Sequence, residues 1–164
     1  MMSATNSLHY NLCCEGAKYI IQPRAKEPYQ TQNMLSTVEL VCYGTEQTDV
    51  YATNRETSTI IEVKTSHADF LNDKKKYARS EEAKINGHQI GNYRYYLCPK
   101  GIVSVEELPE GWGLLEWDGK KIEKVKSSDI FETNHKFDMF VLCSIIAREC
   151  GTHKIFNYRK NNNS

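Results

Sequence analysis

The chain has 164 residues, of which 40% are hydrophobic and 26% charged, and its 21 basic residues balance 21 acidic ones. These values suit one globular domain spanning residues 1–164, and zero net charge argues against the broad basic surface of a non-specific DNA-binding protein. No apolar run approaches a membrane span and the N-terminal residues lack a signal-peptide pattern, so we expect a cytoplasmic protein without a membrane partner.

The first part of the chain is expected to contain one helix. Residues 1–27 show no clear period and are predicted to form an N-terminal extension, with a short strand at Lys18–Gln22. A helix is predicted over Pro28–Tyr43, ended by Gly44. Its apolar stripe consists of Met34, Leu35, Val38, Val41 and Cys42. Glu39 lies beside this stripe, facing either the sheet edge or water.

A hairpin is predicted next. Residues 49–53 and 59–65 are two β-rich runs separated by five polar residues that suit a turn. Because side chains alternate along a strand, Glu62 and Lys64 share one face of the second run. Asp49 opens the first run, so the hairpin can bring it to the same end of the sheet as Glu62.

Two carboxylates at one end of an apolar sheet point to a cation. Asp49 and Glu62 would repel each other and lose solvation unless a positive ion lay between them. Mg²⁺ or Mn²⁺, which prefer oxygen ligands, are the natural candidates. Lys64 would then stand close to a substrate phosphate or an attacking water. The alternative is a plain strand with one solvated, charged face.

The segment after the hairpin is predicted to be a helix running to about Lys84. Ser66 followed by Asp69 resembles a capping box at its start. Backbone N–H groups at this N-terminus favour anions, so a phosphate could rest beside Ser66 and His67. His67 is either a proton shuttle or an ordinary exposed histidine of the first turn.

A local basic strip is predicted on the same helix. Five basic residues and two acidic ones lie between Lys64 and Arg79. Lys74 and Lys76 would steer a backbone phosphate of DNA rather than perform chemistry. The alternative is a solvated helix face with no ligand.

The rest of the chain supplies further strands and a last helix. Asn92–Cys98 is predicted to be a strand parallel to the Glu62 strand, with its tyrosines packing in the core rather than stacking on bases. A single helical turn is expected at Ser104–Leu108. A hairpin joins Gly113–Trp117 to an edge strand over Lys120–Lys126. The predictions end with a helix over Phe137–Cys150, capped by Gly151, and with a disordered tail at 157–164.

The six cysteines show no C-x-x-C pair and no repeated spacing. A zinc site using His9, Cys13 and Cys14 is the alternative for three of these positions, but structural zinc sites usually show spaced ligand pairs. Several cysteines lie in apolar patterns, where a reduced cysteine behaves as a small core residue. A redox or zinc protein is therefore disfavoured.

Asp49, a gap of twelve residues, and then Glu62-Val63-Lys64 resemble the motif of the PD-(D/E)XK nuclease superfamily. The following segment, Thr65 to Lys74, is similar to that of the DNA-repair-associated MmcB-like branch. Tyr95–Pro99 and Leu108–Leu115 resemble the next strand and the Pro-Gly-Leu stretch of that branch. The resemblance spans about Val38 to Trp117, in sequence order.

The resemblance implies an α/β fold with a restriction-endonuclease-like core, in which helices flank a mixed central β-sheet. The expected order of elements is helix, three strands, helix and strand. Asp49 and Glu62 would be catalytic residues and metal ligands, with Val63 and Glu39 in the same metal site. Lys64 would orient the water or stabilise developing charge. The chain departs from the pattern at Thr48, where Pro often stands, and in the short interval from Glu39 to Asp49.

The function implied is a Mg²⁺- or Mn²⁺-dependent deoxyribonuclease that hydrolyses DNA phosphodiester bonds in repair, recombination or defence. DNA is the expected partner, contacted by Ser66, His67, Lys74 and Lys76, and a homodimer is the assembly considered. The alternative is a nuclease-like fold without turnover that serves as a DNA- or protein-binding module.

Overall fold

The computed structural model describes residues 4–23, 32–73, 75, 76, 82, 89–153 and 155, without the side chains of residues 4–7. Six strands form one mixed sheet in sequential order. They are β1 Leu35–Val38, β2 Val50–Thr53, β3 Ser58–Val63, β4 Tyr93–Pro99, β5 Gly113–Trp117 and β6 Ile122–Lys126. β3, β4 and β5 are parallel to one another, whereas the pairs β1–β2, β2–β3 and β5–β6 are antiparallel.

Helices cover both faces of the sheet. They are α1 Ala4–Ile21, α2 His67–Asp73 and α3 His135–Cys150, with a 3₁₀ turn at Val105–Glu107. The side chains of α1 pack with Val50, Ile61 and Val63 on one face. Those of α2 and α3 pack with Tyr51, Ile60 and Tyr96 on the other. The α/β class with a mixed sheet flanked by helices is therefore confirmed, and the order α1, β1, β2, β3, α2, β4 matches the predicted one.

Helix α1 corrects the prediction of an N-terminal extension with a strand at Lys18–Gln22. The helix runs through Ile21 and buries a stripe of small residues that includes Cys13 and Ala17. A Cβ atom at Gly16 would lie 3.0 Å from Leu97 Cδ2, so glycine allows the helix to approach the sheet closely. Because these small residues are weakly hydrophobic, the helical period is faint in the sequence.

The helix predicted over Pro28–Tyr43 is also wrong where the structure describes it. Residues 35–38 form β1 instead, paired with β2 from Leu35 opposite Thr53 to Val38 opposite Val50. Short apolar runs fit either a helix or a strand by periodicity, and a neighbouring strand edge decided the outcome here. Residues 24–31 lie outside the described part of the chain.

The other predicted elements are confirmed in the described residues. Both hairpins form, β4 is parallel to β3, and β6 is an edge strand. The Ser66 hydroxyl accepts the Asp69 N–H at 3.2 Å, as expected of a helix cap. Tyr95 and Tyr96 are buried, which confirms that they pack in the core. The exception is the predicted end of α2 at about Lys84, which is wrong where it can be checked, because the helix ends at Asp73 and residues 75 and 76 form a turn. Most of residues 74–84 and the tail at 157–164 lie outside the described residues.

Within the described residues, the helices lack the combination of length and apolar character that crossing a membrane requires. The longest, α1, carries charged residues such as Glu15 and Lys18 on its exposed side. The two hydrophobic cores instead lie between the helices and the sheet. The β2–β3 hairpin lies in the sheet between α1, on one face, and α2, on the other.

Candidate active site

Asp49 and Glu62 both lie at the open end of the β2–β3 hairpin. Val50 pairs with Ile61 in the antiparallel ladder, so Asp49 and Glu62, the next residues outward, lie at the same end of the hairpin. Both line an open cleft of about 220 Å³. Glu39 and Lys76 line the same cleft. The local pairing of the hairpin therefore brings the two predicted residues to one cleft.

The Asp49 carboxylate is held at the end of β3 and beside α1. Its Oδ2 atom accepts the Val63 N–H at 2.7 Å and lies 3.4 Å from His9 Nε2. Burial acts to raise the pKa of Asp49, but the hydrogen bonds from His9 and Val63, with the nearby charges, hold it below its ordinary value of 3.8. Asp49 is therefore an anion near neutral pH.

His9 joins the site from α1, a helix that the sequence pattern concealed. Its Nδ1 atom lies 3.5 Å from Glu39 Oε1 and 3.6 Å from Cys13 Sγ. The hydrogen bond to Asp49 raises the pKa of His9 above its ordinary value of 6.5, although burial opposes the rise. The sequence prediction considered His9 only as a zinc ligand with two cysteines.

Glu62 and Lys64 form a buried charged pair on the same face of β3. The Glu62 side chain is 1% exposed and the Lys64 side chain 5%, and Lys64 Nζ lies 3.5 Å from Glu62 Oε2. The Lys64 N–H also donates to the Leu97 carbonyl oxygen at 3.0 Å, which fixes the end of the strand. The predicted side-by-side placement of carboxylate and ammonium is present.

Asp73, at the end of α2, completes this pair. Its Oδ1 atom lies 3.1 Å from Lys64 Nζ and 2.6 Å from Lys76 Nζ, while its Oδ2 atom accepts the Tyr96 hydroxyl at 2.7 Å. Burial lowers the pKa of Lys64, but Glu62 and Asp73 outweigh it and raise the pKa above its ordinary value. The sequence prediction missed Asp73, although it stands three residues after the core residue Phe70 on α2.

Glu39 reaches the site from a different element than predicted. It follows β1 directly with a positive φ of 49°, and its N–H donates to the Asp49 carbonyl oxygen at 2.8 Å. Its carboxylate is half exposed and points towards His9. The short interval from Glu39 to Asp49 is explained, because β1 precedes Glu39 and no strand has to fit between the two acidic residues.

The predicted DNA-binding residues are not all brought to the cleft. Lys76 lines it, and its Nζ atom lies 3.7 Å from Glu62 Oε2. His67 instead contacts Glu107 on the 3₁₀ turn, with Nε2 2.6 Å from Oε1. Ser66 caps α2, and Lys74 lies outside the described residues.

The charges of the cleft and its buried wall suit a divalent cation. The carboxylates of the site outnumber its lysine ammonium groups by four to two; they belong to Glu39, Asp49, Glu62 and Asp73, against Lys64 and Lys76. The carboxylates remain in excess when His9, which contacts two of them, is counted as a further positive group, and carboxylate oxygens match the preference of Mg²⁺ or Mn²⁺. The fit to such an ion rests on charge and on the shared cleft, because among the described residues Glu62 is not in the group whose ligand atoms lie within 4.8 Å of one another.

A zinc-like alternative also has some geometric support. His9, Cys13 and Asp49 offer ligand atoms within 4.8 Å of one another, whereas Cys14, predicted with His9 and Cys13, is not in this group. Burial, with the nearby carboxylates, raises the pKa of Cys13 far above its ordinary value of 9. Because a thiol must lose its proton to bind zinc, Cys13 is poorly suited to that role.

No protein-family model matches the chain, and the comparison with curated proteins found no match. Among solved structures, the SPO1766 protein of unknown function from Silicibacter pomeroyi is similar, with a TM-score of 0.47 and 22% sequence identity. The similarity covers 75% of this chain and 85% of that one. The resemblance to PD-(D/E)XK nucleases stays a prediction, and function has to be inferred from the chemistry of the cleft.

Proposed function

We propose that this protein is a Mg²⁺- or Mn²⁺-dependent deoxyribonuclease that hydrolyses phosphodiester bonds in DNA. The supporting observation is that Asp49 and Glu62 line one cleft, with the buried Lys64 ammonium 3.5 Å from Glu62. A role in repair, recombination or defence is part of the proposal and comes from the motif resemblance.

Asp49 and Glu62 would hold the cation, with Glu39 as a further carboxylate at the rim of the cleft. The bound ion would supply Lewis acidity towards the scissile phosphate and towards water. The protein contributes by keeping the Asp49 carboxylate ionised and fixed. The Val63 N–H fixes the Asp49 carboxylate, since it donates a hydrogen bond to one of its oxygens at 2.7 Å.

Lys64 would act as a fixed positive charge rather than as a base. Its raised pKa means that it stays an ammonium group near neutral pH. Contacts to Glu62 and Asp73 fix the position of Nζ in a site with little water, where a charge acts strongly on its surroundings. Negative charge that develops on the phosphate would be stabilised by this preorganised group.

Lys76 would attract the DNA backbone to the cleft. Its side chain is 53% exposed, compared with 5% for that of Lys64. A long, mobile side chain at the rim can turn from Asp73 to a phosphate, which contributes affinity without sequence preference. Ser66 and Lys74 are further proposed phosphate contacts. His67 is another, and it would first have to break its contact with Glu107.

Purified protein should be incubated with plasmid and linear DNA in Mg²⁺, Mn²⁺ or EDTA. We expect cleavage in either metal and none in EDTA, with losses of about 100-fold or more in Asp49→Asn, Glu62→Gln and Lys64→Met. Glu56→Gln, at the turn of the same hairpin, is the matched control and should cleave normally. Cleavage that persists in Asp49→Asn and Lys64→Met would exclude this site as the catalytic centre.

The alternative of a binding module without turnover has one observation in its favour. Lys64 and Lys76 already place two ammonium groups within 3.7 Å of Glu62 Oε2, so the buried carboxylate is compensated by the protein itself. A module of this kind would bind DNA or a partner protein equally well in Mg²⁺ and EDTA. Filter binding in both conditions, run beside the cleavage assay, separates the two functions.

A further inference from the structure

Helix α3 exposes apolar side chains on the face that points away from the sheet. Its inner face carries Phe137, Val141 and Ile145, which belong to the core or pack against it. On the outer face, exposed side chains recur at alternating steps of four and three residues. This outer stripe consists of Met139, Cys143, Ile146 and Cys150. The spacing is the seven-residue pattern by which two helices pack along a common seam.

A concave surface adjoins the outer stripe. An open cleft of about 240 Å³ lies between the first half of α3 and the turn of the β2–β3 hairpin. Met139 and Leu142 line it from the helix, and residues 53–58 line it from the hairpin. A recess beside a row of apolar side chains can receive the side chains of a second helix.

The charges at the two ends of the stripe decide which helix direction fits. Lys136 lies one step before the stripe and Glu149 borders its other end, and both are exposed. Two parallel copies of α3 would bring each of these charges against its own counterpart. Two antiparallel copies, related by an axis between residues 142 and 143, would place Lys136 opposite Glu149 of the second copy, because both are equally far from the axis. Opposite charges then meet at both ends of the seam.

We propose that two copies of this chain form a symmetric dimer in which the outer stripes of α3 pack antiparallel. Met139 of each copy then faces Ile146 of the other, so one surface complements itself and the assembly closes at two subunits. The seam covers only about three helical turns, so the interface is small and we expect a dissociation constant on the order of 10 µM. This assembly does not depend on the proposed metal site.

Sedimentation velocity of the full chain under reducing conditions, between about 1 and 200 µM, would measure the dimer. Ile146→Glu should weaken it about tenfold or more, because the new charge would be buried in the seam without a partner. Val125→Glu is the matched control, since Val125 on β6 is 46% exposed and Ile146 is 45% exposed. The control should dimerise like wild type, and circular dichroism should show that both variants are folded.

A charge exchange tests the antiparallel direction. Lys136→Glu and Glu149→Lys should each weaken the dimer about threefold or more, since each places like charges opposite one another. The double variant should restore the wild-type dissociation constant. Because the two positions are about 20 Å apart along one helix, this rescue can arise only between two copies.

Cross-linking by mild oxidation provides an independent readout. Cys143 lies next to the axis and should join the two copies, whereas the two Cys150 residues would be about 22 Å apart, too far for a disulfide. Cys150→Ser should therefore keep the cross-link and Cys143→Ser should lose it. A protein that stays monomeric at about 200 µM would overturn the proposal. A dimer that is unaffected by Ile146→Glu, or one that is cross-linked through Cys150, would overturn it as well.

Discussion

The Lys64 Nζ atom lies 3.1 Å from Asp73 Oδ1, and both side chains are almost completely buried. The two residues come from β3 and α2, so their contact ties the strand carrying the motif to the helix that follows it. Because neither charge can be solvated by bulk water, each depends on the other and on Glu62, Tyr96 and Lys76.

Asp73→Asn should therefore destabilise the fold by about 3–5 kcal/mol, because it leaves Lys64 charged and poorly compensated. Urea unfolding followed by circular dichroism would measure the change in free energy. Asp69→Asn, at an exposed position of the same helix, should change stability by less than about 0.5 kcal/mol. Equal effects of the two substitutions would show that Asp73 is not an essential partner of Lys64.

Divalent ions should stabilise the folded protein through the Asp49–Glu62 cleft. A ligand that binds only the folded state at about 100 times its Kd adds roughly 2.7 kcal/mol to the free energy of unfolding. Thermal unfolding of wild type should shift upwards in Mn²⁺ or Mg²⁺, whereas Asp49→Asn should show little shift. The asparagine can still accept the Val63 N–H, so the substitution tests the charge more than the local structure.

Arg94 is expected to fix the segment that leads from β1 to the cleft. Its guanidinium donates to Glu46 Oε1 and to the Ile90 carbonyl oxygen, each at 2.6 Å, and lies over the ring of Trp112. A lysine cannot reproduce this planar fork, so Arg94→Lys should cost about 3 kcal/mol or more in the free energy of unfolding.

Metal binding provides a second measurement for Arg94→Lys, because Glu46 directly precedes the cleft-lining residues Gln47 and Thr48. We expect weaker Mn²⁺ binding in the variant at temperatures where it is still folded. Arg55→Lys, at the exposed hairpin turn, is the control and should alter neither property. Unchanged metal affinity in a folded Arg94→Lys protein would limit the role of Arg94 to stability.

Glu107 should titrate at unusually low pH. Hydrogen bonds from the Ser104 N–H and then from His67 lower the pKa of Glu107 from 4.5 to about 2. Since the folded-state pKa is depressed, the stability gained from these bonds is present above about pH 4.5 and is lost as the pH falls towards 2. Titration of the side-chain carboxyl signal by NMR would test the value directly.

The same titration in His67→Gln should raise the pKa of Glu107 but leave it below 4.5, because the Ser104 N–H still donates at 2.9 Å. Urea unfolding between pH 2 and 5 should show a shallower pH dependence in Glu107→Gln than in wild type. Glu106→Gln, at the adjacent exposed position, is expected to keep the wild-type dependence. An ordinary pKa for Glu107 would contradict the hydrogen-bond network at this turn.

The sequence by itself determined the β2–β3 hairpin and the relation of Asp49, Glu62 and Lys64. These depend on strand alternation and on pairing between neighbouring segments, and both are properties of local chain geometry. The hairpin of β5 and β6, the parallel β4 and the last helix were predictable for the same reason. Glu39 lines the cleft, but it follows a strand instead of lying on the predicted helix.

Only the tertiary structure placed His9 and Asp73 beside the motif. His9 lies on α1, which packs on one face of the sheet, and Asp73 lies on α2, which packs on the other. Each side chain reaches the site because its helix packs against the sheet. The nature of β1 was also decided by its pairing with β2, since a four-residue apolar run has no period of its own. The packing of helices against the sheet, which local sequence does not encode, therefore brings His9 and Asp73 to the charged groups of this site.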